Sequence, residues 1–192
     1  IAKGHHLPQV TFVGVILADV GLELPDFRAN ERTFQTLYQV FGRAGRGIEK
    51  GKVVVQTFQP GHYAIKAAVA QDYHLFLKTE LDYRKRHGHP PFTRLIRILR
   101  NELDDRECRR KVESLVDVLK SQKEAWGMSG VDILGPTPAF PPFLRGRYRW
   151  QIILRGSDPR SLLDTVEINQ AYGTGGITQG GWSVEVDPVM VN

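Results

Sequence analysis

The pattern that most constrains the fold of this chain is a strand, a helix and a second strand joined by short connections. Residues 10–15 and residues 53–58 are nearly continuous runs of β-branched and other apolar residues, which is typical of strands buried on both faces of a parallel sheet. Between them, Phe34, Leu37 and Phe41 recur at helical spacing and predict one apolar helix face. This order predicts the closing edge of an α/β lobe.

The ends of these elements are set by local residue choices. Asn30 is a good N-cap for the helix, with Glu31 in the first turn. A Gln-Pro-Gly turn follows the second strand, and residues 60–91 then predict a helical connector that stops where two prolines cannot continue it. We therefore divide the chain into residues 1–59, 60–91 and 92–192.

Residues 92–192 contain a doubled strand-helix-strand pattern. Asp104 and Glu107 form a capping box for one helix, and Asp158 is an N-cap followed by Pro159 for the second. The apolar face of the first helix comprises Cys108, Val112, Leu115, Val116 and Leu119. Strands are predicted over residues 93–100, 131–134, 149–154 and 183–186, with a Pro-rich loop after the second. Two such halves indicate an α+β domain of the split-βαβ, ferredoxin-like type.

Basic residues are concentrated in the second half of the chain. The whole chain carries a net charge of +5, but residues 84–155 hold 16 Lys and Arg against 8 Asp and Glu, and the remainder holds 10 against 13. A basic half is a candidate partner of a polyanion. The alternative is a domain with an ordinary charged surface, and charge alone does not decide between them.

Cysteine content and hydropathy exclude several classes of protein. Cys108 is the only cysteine, so an internal disulfide and a Cys-based zinc site are impossible within this segment, and its position predicts a small core residue. No run approaches the ~18 apolar residues of a membrane span. We expect a cytoplasmic protein with no membrane association, present as a monomer.

The segment QVFGRAGR contains the candidate catalytic residues of the predicted helix. Gln39, Arg43 and Arg46 are spaced to share one helix face, and Gly42 and Gly45 beside them leave room for a close approach. Two fixed guanidiniums suit a triphosphate, because they bind its oxygens and offset the charge that develops in phosphoryl transfer. These residues therefore predict an arginine finger and a nucleotide contact, and the alternative is a surface helix with scattered arginines.

A second candidate site alternates basic and aromatic residues. In a strand, Arg145, Arg147 and Arg149 would lie on one side and Tyr148 and Trp150 on the other. The arginines can contact phosphates and the aromatic rings can stack on bases, which predicts nucleic-acid binding. The alternative is that both aromatic side chains pack in the core.

Other polar residues give weaker predictions. Asp19 ends the first strand, and the C-terminal ends of strands in α/β lobes face ligands, so it is predicted to lie near a nucleotide or to cap the next turn. Adjacent His5 and His6 have no second pair of ligands nearby, and we predict no metal site. No G-x-x-x-x-G-K-[ST] segment is present, so ATP hydrolysis by this chain alone is not expected.

The arginine segment closely resembles motif VI of superfamily 2 helicases, whose glutamine and arginines face ATP bound mainly by the other RecA-like lobe. Lys3, Gly4, His5 and His6 look like motif V, which couples nucleotide state to the grip on DNA. The paired histidines are similar to those of the replication-restart helicases of the PriA family. Further resemblance to that family is carried by ADVGLELPDFRANERTFQTLYQVFGRAGRG, GKVVVQTFQPGHYAIKAAVAQDY, HPPFTRLIRI, ILGPTPAFPPFLRGRYRWQIIL and VDPVMVN. NQAYGTGGITQGG matches no pattern.

The resemblance implies the C-terminal part of a RecA-like helicase lobe followed by an accessory α+β domain. It implies a 3′-to-5′ DNA helicase that uses ATP and Mg²⁺ in primosome assembly and replication restart at stalled forks, with Walker motifs and zinc outside this segment. The implied partners are forked or single-stranded DNA, single-stranded-DNA-binding protein and other primosome proteins. A nucleic-acid or protein binding module without catalysis, and another superfamily 2 helicase, are the alternatives. The chain opens on Ile1 inside a motif, so we expect a fragment of a longer protein.

Overall fold

The computed structural model describes residues 11–42, 51–164 and 181–188. The chain forms two compact units, Ile1–Tyr83 (unit 1) and Arg84–Asn192 (unit 2). The division between them falls within residues 60–91, and the three-part division made from the sequence stays a prediction.

Unit 1 combines a two-stranded sheet with helices. Its elements are β1 (Phe12–Val15), a turn of 3-10 helix (Ala18–Gly21), α1 (Ala29–Phe41), β2 (Lys52–Val55), α2 (Tyr63–Val69) and the start of α3 (Tyr73–His87). β1 and β2 pair in parallel, with Phe12 opposite Lys52 and Val15 opposite Val55. The parallel β-α-β order predicted from the sequence is therefore present.

The core of unit 1 forms where α1 meets α2 and α3. Phe34 and Leu37 of α1 are buried as predicted, Phe41 is partly buried, and the ring of Phe34 stacks on that of Phe76 with centroids 4.0 Å apart. The predicted burial of both strand faces is wrong for the described residues, since Phe12 is 61% exposed and Val54 is 44% exposed. A sheet of only two strands has little area on which other elements can pack, so part of the apolar side chains on its faces stays exposed.

The start of α1 also differs from the prediction. Asn30 is not the N-cap, because α1 begins at Ala29. The carboxylate of Asp26 accepts a hydrogen bond from the Arg28 amide at 2.9 Å and pairs with the Arg32 guanidinium at 2.8 Å. Asp26 therefore organises the turn that leads into this helix, a role that Asn30 was expected to fill.

β2 ends at Val55, three residues before its predicted end.

Unit 2 is a four-stranded antiparallel sheet with helices, which confirms the predicted α+β class. Its elements are β3 (Arg94–Glu102), α4 (Asp105–Ala125), β4 (Val131–Leu144), β5 (Arg147–Gly156), α5 (Arg160–Leu163) and β6 (Trp182–Val186). The strands lie in the order β4-β5-β3-β6. The succession β-α-β-β-α-β is that of a split-βαβ fold.

The core of unit 2 follows the helical period of α4. All five predicted apolar positions of this helix are buried, and Val112, Leu115, Val116 and Leu119 share one core cluster with Ile96, Ile98, Ile152 and Leu154 of the two central strands. Asp104 is the N-cap as predicted, since its carboxylate accepts a hydrogen bond from the Glu107 amide at 2.8 Å. α5 begins at Arg160 with Pro159 as its flanking residue, so Asp158 is not the N-cap.

β4 is the largest departure from the sequence prediction. It runs for 14 residues, from Val131 to Leu144, and includes the Pro-rich segment that was expected to be a loop. Its pairing with β5 shifts register between Leu134 and Thr137 and again between Pro138 and Phe143. Proline lacks an amide donor and is tolerated at bulges and on edge strands. β4 is an edge strand of the described sheet, so prolines do not interrupt it.

We predict that Gly156→Ala destabilises unit 2. An added Cβ would lie 2.3 Å from the Gly130 carbonyl oxygen and 3.2 Å from the Val131 Cα, so backbone must move. Overpacking of this kind costs about 1–3 kcal/mol in the free energy of unfolding, which denaturant titration measures. Gly130→Ala is the matched control, since its Cβ would meet only the Ser157 hydroxyl at 3.9 Å. Equal stability of the two variants would contradict the prediction.

Candidate nucleic-acid interface

β4 and β5 form a hairpin that carries the predicted basic and aromatic residues. A two-residue turn, Arg145-Gly146, joins the strands, and both residues have positive φ, 53° and 77°. Two positive φ angles suit the turn that matches the twist of paired strands. Phe143 is opposite Tyr148, and Leu144 is opposite Arg147. We call residues 143–148 the hairpin tip.

The predicted alternation along β5 holds for four of the five residues. Ile152 and Leu154 belong to the core under α4, so Tyr148 and Trp150 lie on the same face of the strand. Arg147 and Arg149 lie on the opposite face. Arg145 does not share that face as predicted, because it lies in the turn and not in the strand.

The side chain of Trp150 contacts α4. Its indole N–H donates a hydrogen bond to the Asp105 carboxylate at 2.8 Å, and the Arg109 guanidinium lies 5.6 Å from the ring centroid. The ring is partly buried against the core of unit 2. These contacts support the alternative that Trp150 packs within the domain, whereas its stacking on a base stays a prediction.

Arg149 also makes contacts within the hairpin. Its guanidinium donates to the carbonyl oxygens of Phe140 at 3.4 Å and Pro141 at 3.1 Å, in the irregular part of β4. Burial and the nearby charge of Arg97 lower the pKa of this guanidinium. The side chain therefore holds two strands together where proline leaves the ladder without donors.

Tyr148 is less covered than Trp150 and forms a pair with Phe143. The two rings lie 5.0 Å apart between centroids and are tilted by 60°. Tyr148 is 38% exposed and Phe143 is 52% exposed. Sequence analysis missed Phe143, since it follows two prolines in a segment that was predicted to be a loop. The signal that could have found it is its position two residues before an Arg-Gly turn.

Arg145 and Arg147 differ from most cations of unit 2 in being unpaired. Both are exposed, and neither side chain makes a hydrogen bond, ion pair or ring contact within the described ranges. By contrast, Arg97 pairs with Glu185 at 2.9 Å and Arg155 pairs with Asp132 at 2.8 Å. The hairpin tip therefore presents charge that no carboxylate of the described fold neutralises.

The basic residues at the start of α4 are largely neutralised by their neighbours. Lys111 lies 2.6 Å from Glu102 and 3.3 Å from Glu107, and Arg100 and Arg110 pair with the same two carboxylates. Hydrogen bonding to Arg110 lowers the pKa of Glu107 to about 2. The excess of positive charge seen in the sequence thus overstates the free charge on this side of the domain.

Cys108 is a core residue, as predicted. It is fully buried, and its thiol donates to the Arg100 carbonyl oxygen at 3.4 Å. Burial raises the pKa of the thiol.

Within the described ranges no group of three or more His, Cys, Asp or Glu residues could hold a metal ion. None of the described helices is long and apolar enough to cross a membrane.

Asp19 lies beyond β1, which ends at Val15, so the prediction that it ends the strand is wrong. It is buried in the 3-10 helix, and its carboxylate accepts hydrogen bonds from the Thr57 hydroxyl at 2.7 Å and the amides of Phe58 and Gln59 at 2.9 and 3.1 Å. These contacts secure the loop after β2, and none of them is made to the turn that Asp19 was predicted to cap. Its role near a nucleotide stays a prediction.

Burial opposes ionisation of Asp19, but its hydrogen bonds outweigh burial and lower the pKa of the carboxyl. Because the folded pKa lies below the unfolded one, the ionised carboxylate stabilises the fold at neutral pH. That contribution disappears as the pH falls through the folded pKa.

The predicted nucleotide contacts lie around the end of α1. Gln39 is exposed on its last turns, and Gly42 is the C-cap residue, where a Cβ would meet only the carbonyl oxygens of Tyr38 and Gln39 at 3.5 and 3.8 Å. α1 ends at Phe41, and the predicted face shared by Gln39 with the two arginines stays a prediction. The following predicted site residues lie outside the described residues: Lys3, Gly4, His5, His6, Arg43, Gly45 and Arg46.

Comparison with known proteins defines the class to which this basic α+β unit belongs. A family model described as the primosomal protein N C-terminal domain matches residues 85–189, which is more than half of the chain. The chain belongs to the PriA family.

Three relatives illustrate the match. The chain is 41% identical over 155 residues to the replication restart protein PriA of Synechocystis sp., covering 81% of this chain and 18% of that protein. It is 37% identical to PriA of Bacillus subtilis over 81% of the chain and 19% of the relative. It is 40% identical to PriA of Haemophilus influenzae over 81% and 21%. The chain thus spans about a fifth of the length of these relatives.

We predict that Asp19→Asn lowers the thermal unfolding midpoint of the chain at pH 7, because an amide nitrogen replaces one accepting oxygen. The difference from the unsubstituted chain should stay constant above the unfolded pKa of about 4, and it should shrink as the pH falls from there through the lowered pKa of the folded carboxyl. Glu23→Gln, at an exposed position of the same unit, is the control and should shift the midpoint little at any pH. A pH-independent difference would count against the assigned role.

Proposed function

We propose that this chain is the C-terminal portion of an ATP-dependent 3′-to-5′ DNA helicase that acts in replication restart, and that unit 2 binds forked or single-stranded DNA. The observation that carries the DNA contact is the hairpin tip, where unpaired Arg145 and Arg147 lie beside the exposed rings of Phe143 and Tyr148. The printed names of the relatives support a role in replication restart.

Cations that have no carboxylate partner favour binding of the hairpin tip to DNA. A cation already paired with a carboxylate must give up that partner to bind a phosphate, whereas an exposed unpaired guanidinium gives up only water and counterions. Arg145 and Arg147 are of the second kind. Arg149 is held by two carbonyl oxygens of β4 and would contact phosphate only alongside that structural role.

The motor part of the proposal is supported by the incomplete sheet of unit 1. Parallel strands occur almost only in larger sheets that are covered on both faces. β1 and β2 pair in parallel and leave Phe12 and Val54 exposed, as expected of two strands from a larger RecA-like lobe. The chain covers about a fifth of its relatives, which leaves ample length for such a lobe.

Within that lobe the residues take the roles inferred from the motifs. Arg43 and Arg46 act as arginine fingers with Gln39, and Lys3 and its neighbours Gly4, His5 and His6 couple the motor to DNA. Gly42, Gly45 and Asp19 lie around the nucleotide. ATP and Mg²⁺ bind the complete enzyme, zinc lies outside this segment, and single-stranded-DNA-binding protein and primosome proteins are the partners. A cytoplasmic monomer is the expected form.

A binding module without catalysis is the second candidate. The described side chains that favour a DNA contact all lie in unit 2, on a hairpin whose geometry does not involve a nucleotide. Retained DNA binding without any effect of Arg43 or Arg46 on ATP turnover would favour this alternative.

For the motor, we predict that Arg43→Ala or Arg46→Ala in the complete enzyme lowers DNA-stimulated ATP turnover by a factor on the order of 10³, the lower bound for removal of an arginine finger. Steady-state phosphate release measures kcat. Lys78→Ala, at an exposed position on α3, is the control and should leave turnover unchanged. Turnover within twofold of the unsubstituted enzyme in both arginine variants would exclude the role.

For DNA binding, we predict that Arg145→Asn combined with Arg147→Thr weakens binding and reduces the slope of log K against log salt by roughly 0.7–0.9 for each phosphate that the variant no longer neutralises. Asparagine suits the positive φ of the turn and threonine suits the strand, so the hairpin should be retained. Fluorescence anisotropy between 50 and about 200 mM salt provides the measurement.

The control for this experiment removes the same charge from another part of unit 2. Lys120→Gln with Lys123→Gln neutralises two cations in the last two turns of α4, whereas the hairpin tip contacts its first turns through Cys108 and the Tyr148 carbonyl. The control should leave the salt slope nearly unchanged. If both double variants lower the slope equally, the contribution is net charge and not the hairpin tip.

A further inference from the structure

An aromatic face of the hairpin continues beyond the part of the sheet that α4 covers. Trp150 is the last ring on that face with a helical partner, through Asp105 and Arg109. The next pair outward is Phe143 and Tyr148, whose rings contact each other, have no other ring contact among the described residues, and stay 52% and 38% exposed. Exposed aromatic rings at the end of a strand pair form a platform for another flat apolar group.

The spacing of the two rings determines how such a group can bind. A base held between two rings needs roughly 6.8 Å between them, which is twice the 3.4 Å base step. Phe143 and Tyr148 lie 5.0 Å apart between centroids and are tilted by 60°, so they already contact each other. A base must therefore stack on the outside of the pair.

The turn limits how much nucleic acid the hairpin tip can follow. Arg145 and Gly146 complete the turn in two residues, so the tip is no wider than two paired strands, about 5 Å apart. A single strand held along several nucleotides needs a basic groove that tracks its backbone. The tip offers only two cations, Arg145 at the turn and Arg147 on the face opposite Tyr148. One cation therefore lies at the turn and the other on the strand face opposite the Tyr148 ring, so the two do not form a track along one face.

We propose that the hairpin tip caps the terminal base pair of a DNA duplex, with one ring of the Phe143–Tyr148 pair stacking on the base pair and Arg145 and Arg147 contacting phosphates of the two strands. A terminal base pair presents one open planar face, which one exposed ring can cover while the second ring, tilted by 60°, packs against the first, and it carries phosphates on both sides. This inference rests on the proposed DNA binding of unit 2 and deepens it, because it names the feature of DNA that is recognised.

The test compares DNA with and without ends, using the full chain. The probes are a blunt duplex, the same duplex closed at both ends by loops, and a single strand of the same length. The unsubstituted chain should bind the open duplex more tightly than the closed one by roughly 5- to 150-fold, the range expected for stacking on a base. A 2-aminopurine in the terminal pair should change fluorescence on binding, whereas the same base at an internal position should not.

The variants separate stacking from charge. Phe143→Leu with Tyr148→Leu keeps apolar side chains on the strands, and it should remove the preference for the open duplex while leaving the salt slope unchanged. Arg145→Asn with Arg147→Thr should weaken binding to all three probes and lower the salt slope, while a preference for the open duplex remains. Trp126→Leu, an exposed aromatic residue at the end of α4, is the control and should change neither quantity.

Different results would contradict end capping and the proposed DNA binding. Equal affinity of the unsubstituted chain for open and closed duplexes, with no effect of the leucine variant on their ratio, overturns end capping and leaves DNA binding intact. The surface would then be assigned to a protein partner. Absence of measurable binding to all three probes overturns both proposals. Circular dichroism and a thermal unfolding curve establish that each variant is folded.

Discussion

Burial of the apolar stripe of α4 against β3 and β5 is the interaction on which the geometry of unit 2 depends. It fixes which residues of β5 point to the helix, because side chains alternate along a strand. Ile152 and Leu154 take the buried side, so Tyr148 and Trp150 must follow them and Arg147 must point away. The separation of rings from charge at the hairpin tip is thus a consequence of core packing several residues away.

The sequence was sufficient for features that depend on local order. The capping box and helical period of α4 predicted its start and its buried face, and the doubled strand-helix-strand pattern predicted the α+β class. The length of β4 was not predictable in this way, because four prolines argue against a strand unless its place at the sheet edge is known. Asp19 was likewise misplaced relative to its strand, since its partners are some 40 residues further along the chain.

The number of basic residues in the sequence and the number left unpaired in the structure give different pictures of the positive charge of unit 2. Counting basic residues gives a strongly positive second half, but pairing depends on tertiary neighbours that a count does not contain. Once Glu102 and Glu107 are placed against Arg100, Arg110 and Lys111, much of the positive charge near the start of α4 is balanced internally. The hairpin tip differs from that region, because Arg145 and Arg147 pair with no carboxylate of the described residues and lie beside two exposed rings.

The prolines of β4 have a further consequence for how molecules of this protein meet one another. An edge strand of 14 residues would ordinarily offer a neighbouring molecule a long row of free amide and carbonyl groups to extend the sheet. Pro136, Pro138, Pro141 and Pro142 supply no amide hydrogen, and the two register shifts bend the edge. A long hairpin can therefore project its tip towards a ligand without presenting a surface on which copies of the chain assemble into continuous sheets.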